Sequence, residues 1–184
     1  MTDITPQSLP DVLLITPKRF GDMRGYFMET YSRPSLAEAG FTGVFVQDNQ
    51  SLSATKGTVR GLHFQAPPHA QAKLIRVTRG AILDVAVDIR RSSATYGQHV
   101  AVELSGDNAR QLLVPAGFAH GFQTLTQDCE VLYKVTDLYA PQAEGGLLWD
   151  DPALGIDWPI TAGQAVVNAR DAAWPRLAEL KTPF

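Results

Sequence analysis

The chain has 184 residues, of which 45% are hydrophobic, so it can bury one substantial core but is too short for two ordinary domains. Its formal net charge is only −3 and its cationic residues are scattered, which argues against a nucleic-acid binder and against a polybasic membrane binder. We therefore expect a single domain over residues 1–184 that takes a small ligand. The single cysteine, Cys129, cannot form an internal disulfide, and no apolar stretch approaches the ~20 residues of a membrane helix. These features favour a reducing cytoplasm and no membrane partner.

The predicted elements, taken in chain order, are mostly short strands. Fifteen glycines and twelve prolines separate short runs of alternating apolar and polar residues, a pattern typical of an all-β chain. Strands are predicted over residues 11–16, 25–30, 43–53, 72–78, 81–89, 98–104, 110–115, 120–125 and 130–137. One helix is predicted at 33–40, starting at Pro34 or Ser35, and a helical turn or two at 171–180. So many short strands predict a barrel or a jelly roll.

The strand at 81–89 has the clearest alternation. One face carries the apolar residues Leu83, Val85, Val87 and Ile89. The other face carries Asp84, Ala86 and Asp88. This period of two is the signature of a β-strand.

The strand-like segment Thr58–Gly80 is unusual because it holds several charged or ionisable side chains: Arg60, His63, His69 and Lys73. Polar groups on a half-buried sheet are costly unless each has a partner, a path to solvent or a ligand. A ligand site is therefore one explanation for this segment.

The common nucleotide motifs are absent, since neither G-x-G-x-x-G nor G-x-x-x-x-G-K-[ST] occurs. "GLHFQ" and "VPAGFAHGF" resemble the two signatures of cupin barrels, but Gln65 stands where metal-binding cupins have their second histidine. Only His63 and His120 remain, whereas a transition metal normally has three or four protein ligands. We therefore expect no metal.

Several segments carry a more specific resemblance: "RGYFMETY", "FVQDNQS", "VRGLHFQ", "KLIRVTRGAILDVAVDIR", "VPAGFAHGF", "YKVTDLYAPQAEGGLLWDDPALGIDWP" and "NARDAAWP". In order and spacing they resemble the dTDP-4-dehydrorhamnose 3,5-epimerase family, from about Val12 to Leu180. The resemblance implies a cupin-type β jelly roll with a few short helices, a homodimer, and neither metal nor organic cofactor. It also implies a nucleotide-linked 4-keto-6-deoxyglucose as substrate, inverted at C3 and C5.

Inverting a carbon next to a ketone needs a base, a group that stabilises the enolate oxygen, and an acid on the opposite face. His63 is the candidate base, because an imidazole is partly unprotonated at neutral pH. By resemblance, Asp171 is the carboxylate that orients it. Lys73, helped by His120, supplies the cation for the enolate oxygen, and Tyr133 supplies the acid.

The resemblance also implies the substrate-binding residues. Arg24 and Arg60 match contacts to the diphosphate and sugar, for which guanidinium groups are well suited. Phe20 and Tyr139 are candidates for packing on the pyrimidine, because an aromatic side chain stacks well on a base. The remaining polar candidates for substrate binding are Glu29, Gln47, Asp48, Asn49, Lys73, His120, Glu144 and Arg170. Two positions depart from the family pattern: Arg170 replaces a common lysine, and Gln50 replaces a frequent histidine.

Other readings of these residues stay open at this point. His63 can be a hydrogen-bonded structural histidine, Tyr133 a barrel-wall tyrosine, and Lys73 a surface lysine. At the level of function, the alternatives are an epimerase acting at one carbon, a keto isomerase, and a non-catalytic barrel that binds sugar nucleotides. An apolar N-terminal strand invites pairing with a second chain, so Arg24 and Glu29 can serve either subunit's site.

Overall fold

The computed structural model describes residues 2–184, which fold mostly into short antiparallel strands, so the all-β prediction is confirmed. The strands are β1 (Asp3–Pro6), β2 (Leu13–Thr16), β3 (Arg19–Asp22), β4 (Gly25–Met28), β5 (Gln47–Ser53), β6 (Val59–Gln65), β7 (Lys73–Arg79), β8 (Ala81–Asp88), β9 (His99–Ser105), β10 (Gln111–Val114), β11 (Phe118–Thr124), β12 (Cys129–Val135) and β13 (Glu144–Gly146). One α-helix, α1, spans Arg33–Glu38. Four 3-10 turns lie at Pro141–Ala143, Pro152–Leu154, Asp171–Ala173 and Leu177–Glu179.

Two sheets face each other and form a jelly roll. The six-stranded sheet has the order β1-β2-β10-β7-β12-β5, and the five-stranded sheet has the order β13-β6-β11-β8-β9. Between them lies a cluster of buried side chains that comes from both sheets, including Ile75 and Val131 from the first and Ile82 and Phe122 from the second. Strands β3 and β4 form a separate hairpin.

The outer faces of both sheets are also covered. On the five-stranded sheet, Val85 and Val87 pack with residues of the C-terminal segment, among them Trp149 and Leu180. On the six-stranded sheet, Leu74 and its neighbours pack against α1 and the segment that follows it. Strand β8 is therefore covered on both faces. The face that carries Asp84 also carries Ile82 and Ala86 of the central core, so it points into the barrel and not into solvent.

The nine predicted strands are all found, with boundary differences of a few residues. The short strands β1, β3 and β13 were missed, and β6 was anticipated only as part of the strand-like segment Thr58–Gly80. The segment 43–46 lies outside β5 although the prediction began there. Helix α1 lies within the predicted range 33–40 and starts at Arg33, just before the predicted start at Pro34 or Ser35. Ser32 caps it by accepting a hydrogen bond from the Ser35 backbone N–H, which puts Pro34 in the first turn. The C-terminal helical prediction corresponds to the two separate turns at Asp171–Ala173 and Leu177–Glu179.

Within residues 2–184, no helix combines the length and apolar character needed to cross a membrane.

Candidate active site

One cavity, of about 850 Å³ including its mouth, brings together most of the predicted site residues: Arg60, His63, Lys73, His120, Tyr133, Tyr139, Glu144, Arg170 and Asp171. They come from strands of both sheets and from the C-terminal segment. Residues that are far apart in sequence therefore share one wall or face each other across the opening.

Close approach of two strands fixes the histidine wall of the cavity. Strand β11 pairs with β6 so that His120 lies opposite His63. Gly61 lies two residues before His63 on β6 and has a φ of +132°. A Cβ there would lie 2.6 Å from the Cα of Gly121. Only glycine allows this contact, which keeps the two histidines side by side.

His63 and Asp171 form a hydrogen-bonded pair. The Nε2 of His63 lies 2.8 Å from Oδ1 of Asp171, although 108 positions separate them in the chain. The His63 side chain is 22% exposed, whereas that of Asp171 is 1% exposed. The ring therefore reaches the cavity through its other nitrogen, Nδ1, while the carboxylate stays behind it.

Local structure holds Asp171 in this position. Its backbone N–H donates to Oδ1 of Asn168 at 2.7 Å, and its Oδ2 accepts from the Gly61 N–H at 3.1 Å. Burial alone raises the pKa of the Asp171 carboxyl, but the hydrogen bonds from His63 and Gly61 and the nearby Arg170 charge outweigh it and lower that pKa overall. Asp171 is thus held as a carboxylate that can stabilise a protonated His63.

Trp174 supports the same ring from another side. Its indole packs edge-on against the His63 imidazole, with ring centroids 6.2 Å apart. The indole lies over Gly146 of β13, where a Cβ would come within 2.3 Å of it. His63 is therefore restrained by a carboxylate and by an aromatic edge.

Lys73 extends into the cavity from β7, in the opposite sheet. Its Nζ donates to the carbonyl oxygen of His63 at 3.3 Å. Burial lowers the pKa of the Lys73 ammonium to about 8, and the charges of Asp84 and Glu144 limit that fall. The lysine is consequently a cation at neutral pH and loses its charge in mildly alkaline solution.

Tyr133 projects from β12, beside Lys73 and across from His63. Burial raises the pKa of its hydroxyl, the Arg60 charge lowers it to a smaller degree, and the Glu144 charge raises it. The phenol therefore carries its proton throughout the neutral range and is available as an acid.

A polar network crosses the cavity mouth. Glu144 accepts from Nη1 of Arg170 at 2.8 Å and from the Tyr139 hydroxyl at 3.2 Å. The Arg60 guanidinium is held by strand β5, because its Nε donates to Oγ of Ser53 at 3.1 Å. Two guanidinium groups thus stand at the opening, where an anionic ligand can reach them.

Gln47 and Asn49 line an adjoining cavity that shares His63, Lys73 and Tyr133 with the first. The amide of Gln47 donates to Oδ1 of Asn49 at 2.8 Å. It also accepts from the Tyr139 backbone N–H at 3.3 Å. The two cavities therefore form one continuous polar groove.

Four predicted binding residues do not line this groove within the chain: Phe20, Arg24, Glu29 and Asp48. Asp48 points to the other face of β5, where it pairs with Lys134 at 2.8 Å. Phe20 and Arg24 lie on the β3–β4 hairpin and are exposed. Glu29 lies just beyond the hairpin, in a different depression. Their binding roles stay predictions.

The sequence reasoning missed other residues of the site. Ser51 and Phe122 line the cavity, and Asn168 lines it as well as holding Asp171. Asp84 lies beneath it, with Oδ1 2.8 Å from Nε2 of His120. For Ser51 a signal was present in the sequence, because it lies on the same face of β5 as the predicted binding residues Gln47 and Asn49.

Known proteins match this chain over nearly its whole length. The family model described as dTDP-4-dehydrorhamnose 3,5-epimerase matches residues 6–179. A Sinorhizobium fredii enzyme of that name is 52% identical over 181 residues, covering 96% of this chain and 90% of the relative. The chain belongs to the dTDP-4-dehydrorhamnose 3,5-epimerase family.

Solved structures of this epimerase family share the fold. The Bacillus anthracis epimerase, crystallised with TDP and PPi bound, superposes with a TM-score of 0.92 at 46% identity, covering 96% of this chain and 99% of that one. The Legionella pneumophila enzyme, in complex with dTDP-4-keto-L-rhamnose, gives a TM-score of 0.93 at 43% identity, covering 98% and 95%. The predicted family and its jelly-roll fold are therefore confirmed.

Gln65 has a structural role in this member of the epimerase family. Its amide donates to the carbonyl oxygens of His69 and Leu138 at 2.8 and 3.1 Å, and it accepts from the Ala140 N–H at 2.8 Å. Among residues 2–184, no group of three or more His, Cys, Asp or Glu side chains is arranged to hold a metal ion. Activity without a metal stays a prediction.

Proposed function

We propose that this protein inverts C3 and C5 of dTDP-4-dehydro-6-deoxy-D-glucose and so produces dTDP-4-dehydro-L-rhamnose. One observation carries the proposal: the candidate base His63 and the candidate acid Tyr133 enter the same cavity from opposite sheets. Inversion at a carbon requires a proton to leave from one side and another to arrive from the other side.

In the first step, His63 removes the proton from the carbon beside the ketone. Its Nε2–H donates to Asp171, which leaves the lone pair of Nδ1 for the substrate. The negative charge of Asp171 stabilises the imidazolium that forms. The electrons of the broken C–H bond move onto the ketone oxygen, which becomes an enolate.

Lys73 then stabilises the enolate oxygen. A cation held in a partly dry cavity interacts with a developing anion more strongly than it would in water. Tyr133 returns a proton to the opposite face, and the resulting phenolate lies in the field of Arg60. His63 then releases its proton to solvent and Tyr133 regains one from solvent, so both are ready to repeat the sequence at the second carbon.

The groove has the chemistry to bind a nucleoside diphosphate. Arg60 and Arg170 offer guanidinium groups to phosphate oxygens, while Gln47 and Asn49 offer amides to a nucleoside. Tyr139, which is 55% exposed, presents an aromatic face at the entrance. The TDP and dTDP-sugar ligands of the two solved relatives support this assignment.

Proton exchange with solvent tests the proposal and its alternatives. Incubation of the protein with the 4-keto sugar nucleotide in heavy water should give a product that carries deuterium at both C3 and C5, read by proton NMR. Deuterium at one carbon would instead indicate a single-carbon epimerase or a keto isomerase. No incorporation would indicate a barrel that only binds the nucleotide sugar.

We further propose that the protein is a cytoplasmic homodimer, with each chain folded as one domain. The support for the dimer is the β3–β4 hairpin, which exposes large apolar side chains that a monomer would leave in water: Phe20, Met23, Tyr26 and Phe27. In a two-fold dimer this hairpin can cover the partner's cavity and bring Phe20 and Arg24 to it.

Mixed dimers test whether the two chains share a site. Co-expression of differently tagged His63→Ala and Arg24→Ala chains should restore roughly a quarter of wild-type activity, because about half of randomly paired dimers are mixed and each has one intact site. Each variant alone is the control and should be nearly inactive. A mixed dimer as inactive as both parents would show that Arg24 does not act across the interface.

A further inference from the structure

A second histidine–carboxylate pair has its histidine, His120, in the cavity wall and its carboxylate, Asp84, behind that histidine. Asp84, on β8, is 0% exposed, and its Oδ1 lies 2.8 Å from Nε2 of His120. Its other oxygen, Oδ2, has no hydrogen-bond partner within residues 2–184. Burying a carboxylate is expensive unless a nearby positive charge or hydrogen bonds offset the loss of water. Half of this carboxylate is thus left without a direct partner inside the barrel.

The other charged groups around the cavity are already engaged. Glu144 is bound by Arg170 and Tyr139, and Asp171 by His63 and the Gly61 N–H. Arg60 donates to Ser53 and to the Leu52 carbonyl. Two cavity groups remain that can offset the negative charge of Asp84. His120 contacts it directly, and Lys73 enters the cavity from the opposite sheet.

Lys73 in turn lacks a direct carboxylate partner. No Asp or Glu oxygen of the described chain lies within salt-bridge distance of its Nζ, and its hydrogen bond goes to a backbone carbonyl. The charges that favour its protonated form are those of Asp84 first and Glu144 second. Because Glu144 is neutralised by Arg170, Asp84 is the main uncompensated negative charge near the lysine.

We propose that Asp84 is a positioning residue, which orients His120 toward the cavity and supplies the negative charge that keeps Lys73 a cation. The hydrogen bond to Nε2 turns Nδ1 of His120 to the cavity side of the ring. The carboxylate touches neither substrate nor reacting atoms and acts through these two residues. This inference rests on the proposed function, in which Lys73 stabilises the enolate.

The test is the pH dependence of kcat/KM in Asp84→Asn, which keeps the shape of the side chain and removes its charge. In the wild type, kcat/KM should fall as the pH rises through about 8, where Lys73 loses its proton. This fall is the alkaline limb of the pH profile. Deprotonation of Tyr133 does not account for it, because the pKa of the Tyr133 hydroxyl lies above its ordinary value. Without the Asp84 charge, Lys73 should lose its proton more easily, so the limb should move down by about one pH unit. The defect relative to wild type should therefore grow roughly fivefold between pH 6.5 and 8.5.

Asp88→Asn is the matched control. Asp88 lies on the same strand and is equally buried, but it pairs with Arg90 and does not line the cavity. This variant should lose stability and keep the position of the alkaline limb. Asp84→Glu retains the charge and should also leave the position of the alkaline limb unchanged. Asp84→Ser is a second variant that removes the charge, and it should move the limb to lower pH.

A second readout does not depend on turnover. The rate of Lys73 acetylation by acetic anhydride, followed by mass spectrometry across the pH range, reports the proton affinity of that amine directly. Its midpoint should move to lower pH in Asp84→Asn and Asp84→Ser and stay in place in Asp88→Asn. An unchanged midpoint in folded Asp84→Asn would overturn the inference. Failure of the wild-type protein to turn over the sugar nucleotide would instead refute the proposed function, and the labelling result would still be informative.

Discussion

Replacing His63 with alanine should abolish both epimerisation and the exchange of substrate protons with heavy water. The loss should be at least ~10²–10⁴-fold, the usual contribution of one positioned acid–base group. Exchange is the decisive measurement, because it reports the first proton removal even when no inversion follows. Deuterium incorporation at C3 and C5, read by proton NMR, gives both quantities from one sample.

His69→Ala is the control for this experiment. His69 lies in a loop 3.6 Å from Asp137 and does not line the cavity with His63, so its removal should leave activity within a few-fold of wild type. Thermal unfolding should show that His63→Ala is folded. Exchange at the wild-type rate in folded His63→Ala would rule out His63 as the base.

Replacing Tyr133 with phenylalanine should separate inversion from exchange. The change keeps the ring and removes the hydroxyl, so folding and nucleotide binding should be nearly intact. His63 can still remove a proton and return one to the same side, which lets deuterium enter slowly with retained configuration. Inversion should fall by ~10²–10⁴-fold, and by more than exchange does.

The comparison is made within one sample, by proton NMR of the product and the recovered substrate. Tyr96→Phe, outside the cavity, is the matched control and should behave as wild type. If inversion in Tyr133→Phe stays within a few-fold of wild type, Tyr133 is a wall residue, and water or His120 is the next candidate for the acid.

The sequence predicted the strands well where alternation was strong and failed where elements were short. Strand β8 shows the rule, because its apolar and acidic residues do occupy opposite faces. The three-residue strand Glu144–Gly146 is too short to produce a periodic signal and forms because β6 provides its hydrogen-bonding partner. The same alternation could have shown that Asp48 points away from Gln47 and Asn49, since it lies between them on one strand.

Long-range contacts were beyond the reach of residue patterns. The His63–Asp171 pair could be anticipated only through the family resemblance, because nothing local links residues 108 positions apart. The role of Asp84 was hidden for a different reason. An alternating pattern shows that a side chain shares a face with its neighbours, but it does not show whether that face meets solvent or the inside of a barrel.

The carboxylate partner of His63 follows all the described strands in the chain and is therefore synthesised after them. When the thirteen strands have left the ribosome, the base has no acceptor for its Nε2–H, and the outer face of the five-stranded sheet still lacks Leu177 and Leu180. The segment that covers this face in the folded protein also carries Asp171. Acid–base competence is therefore tied to synthesis of the segment that carries Asp171, and a chain truncated before Asp171 would be both catalytically incomplete and prone to aggregate through its uncovered sheet.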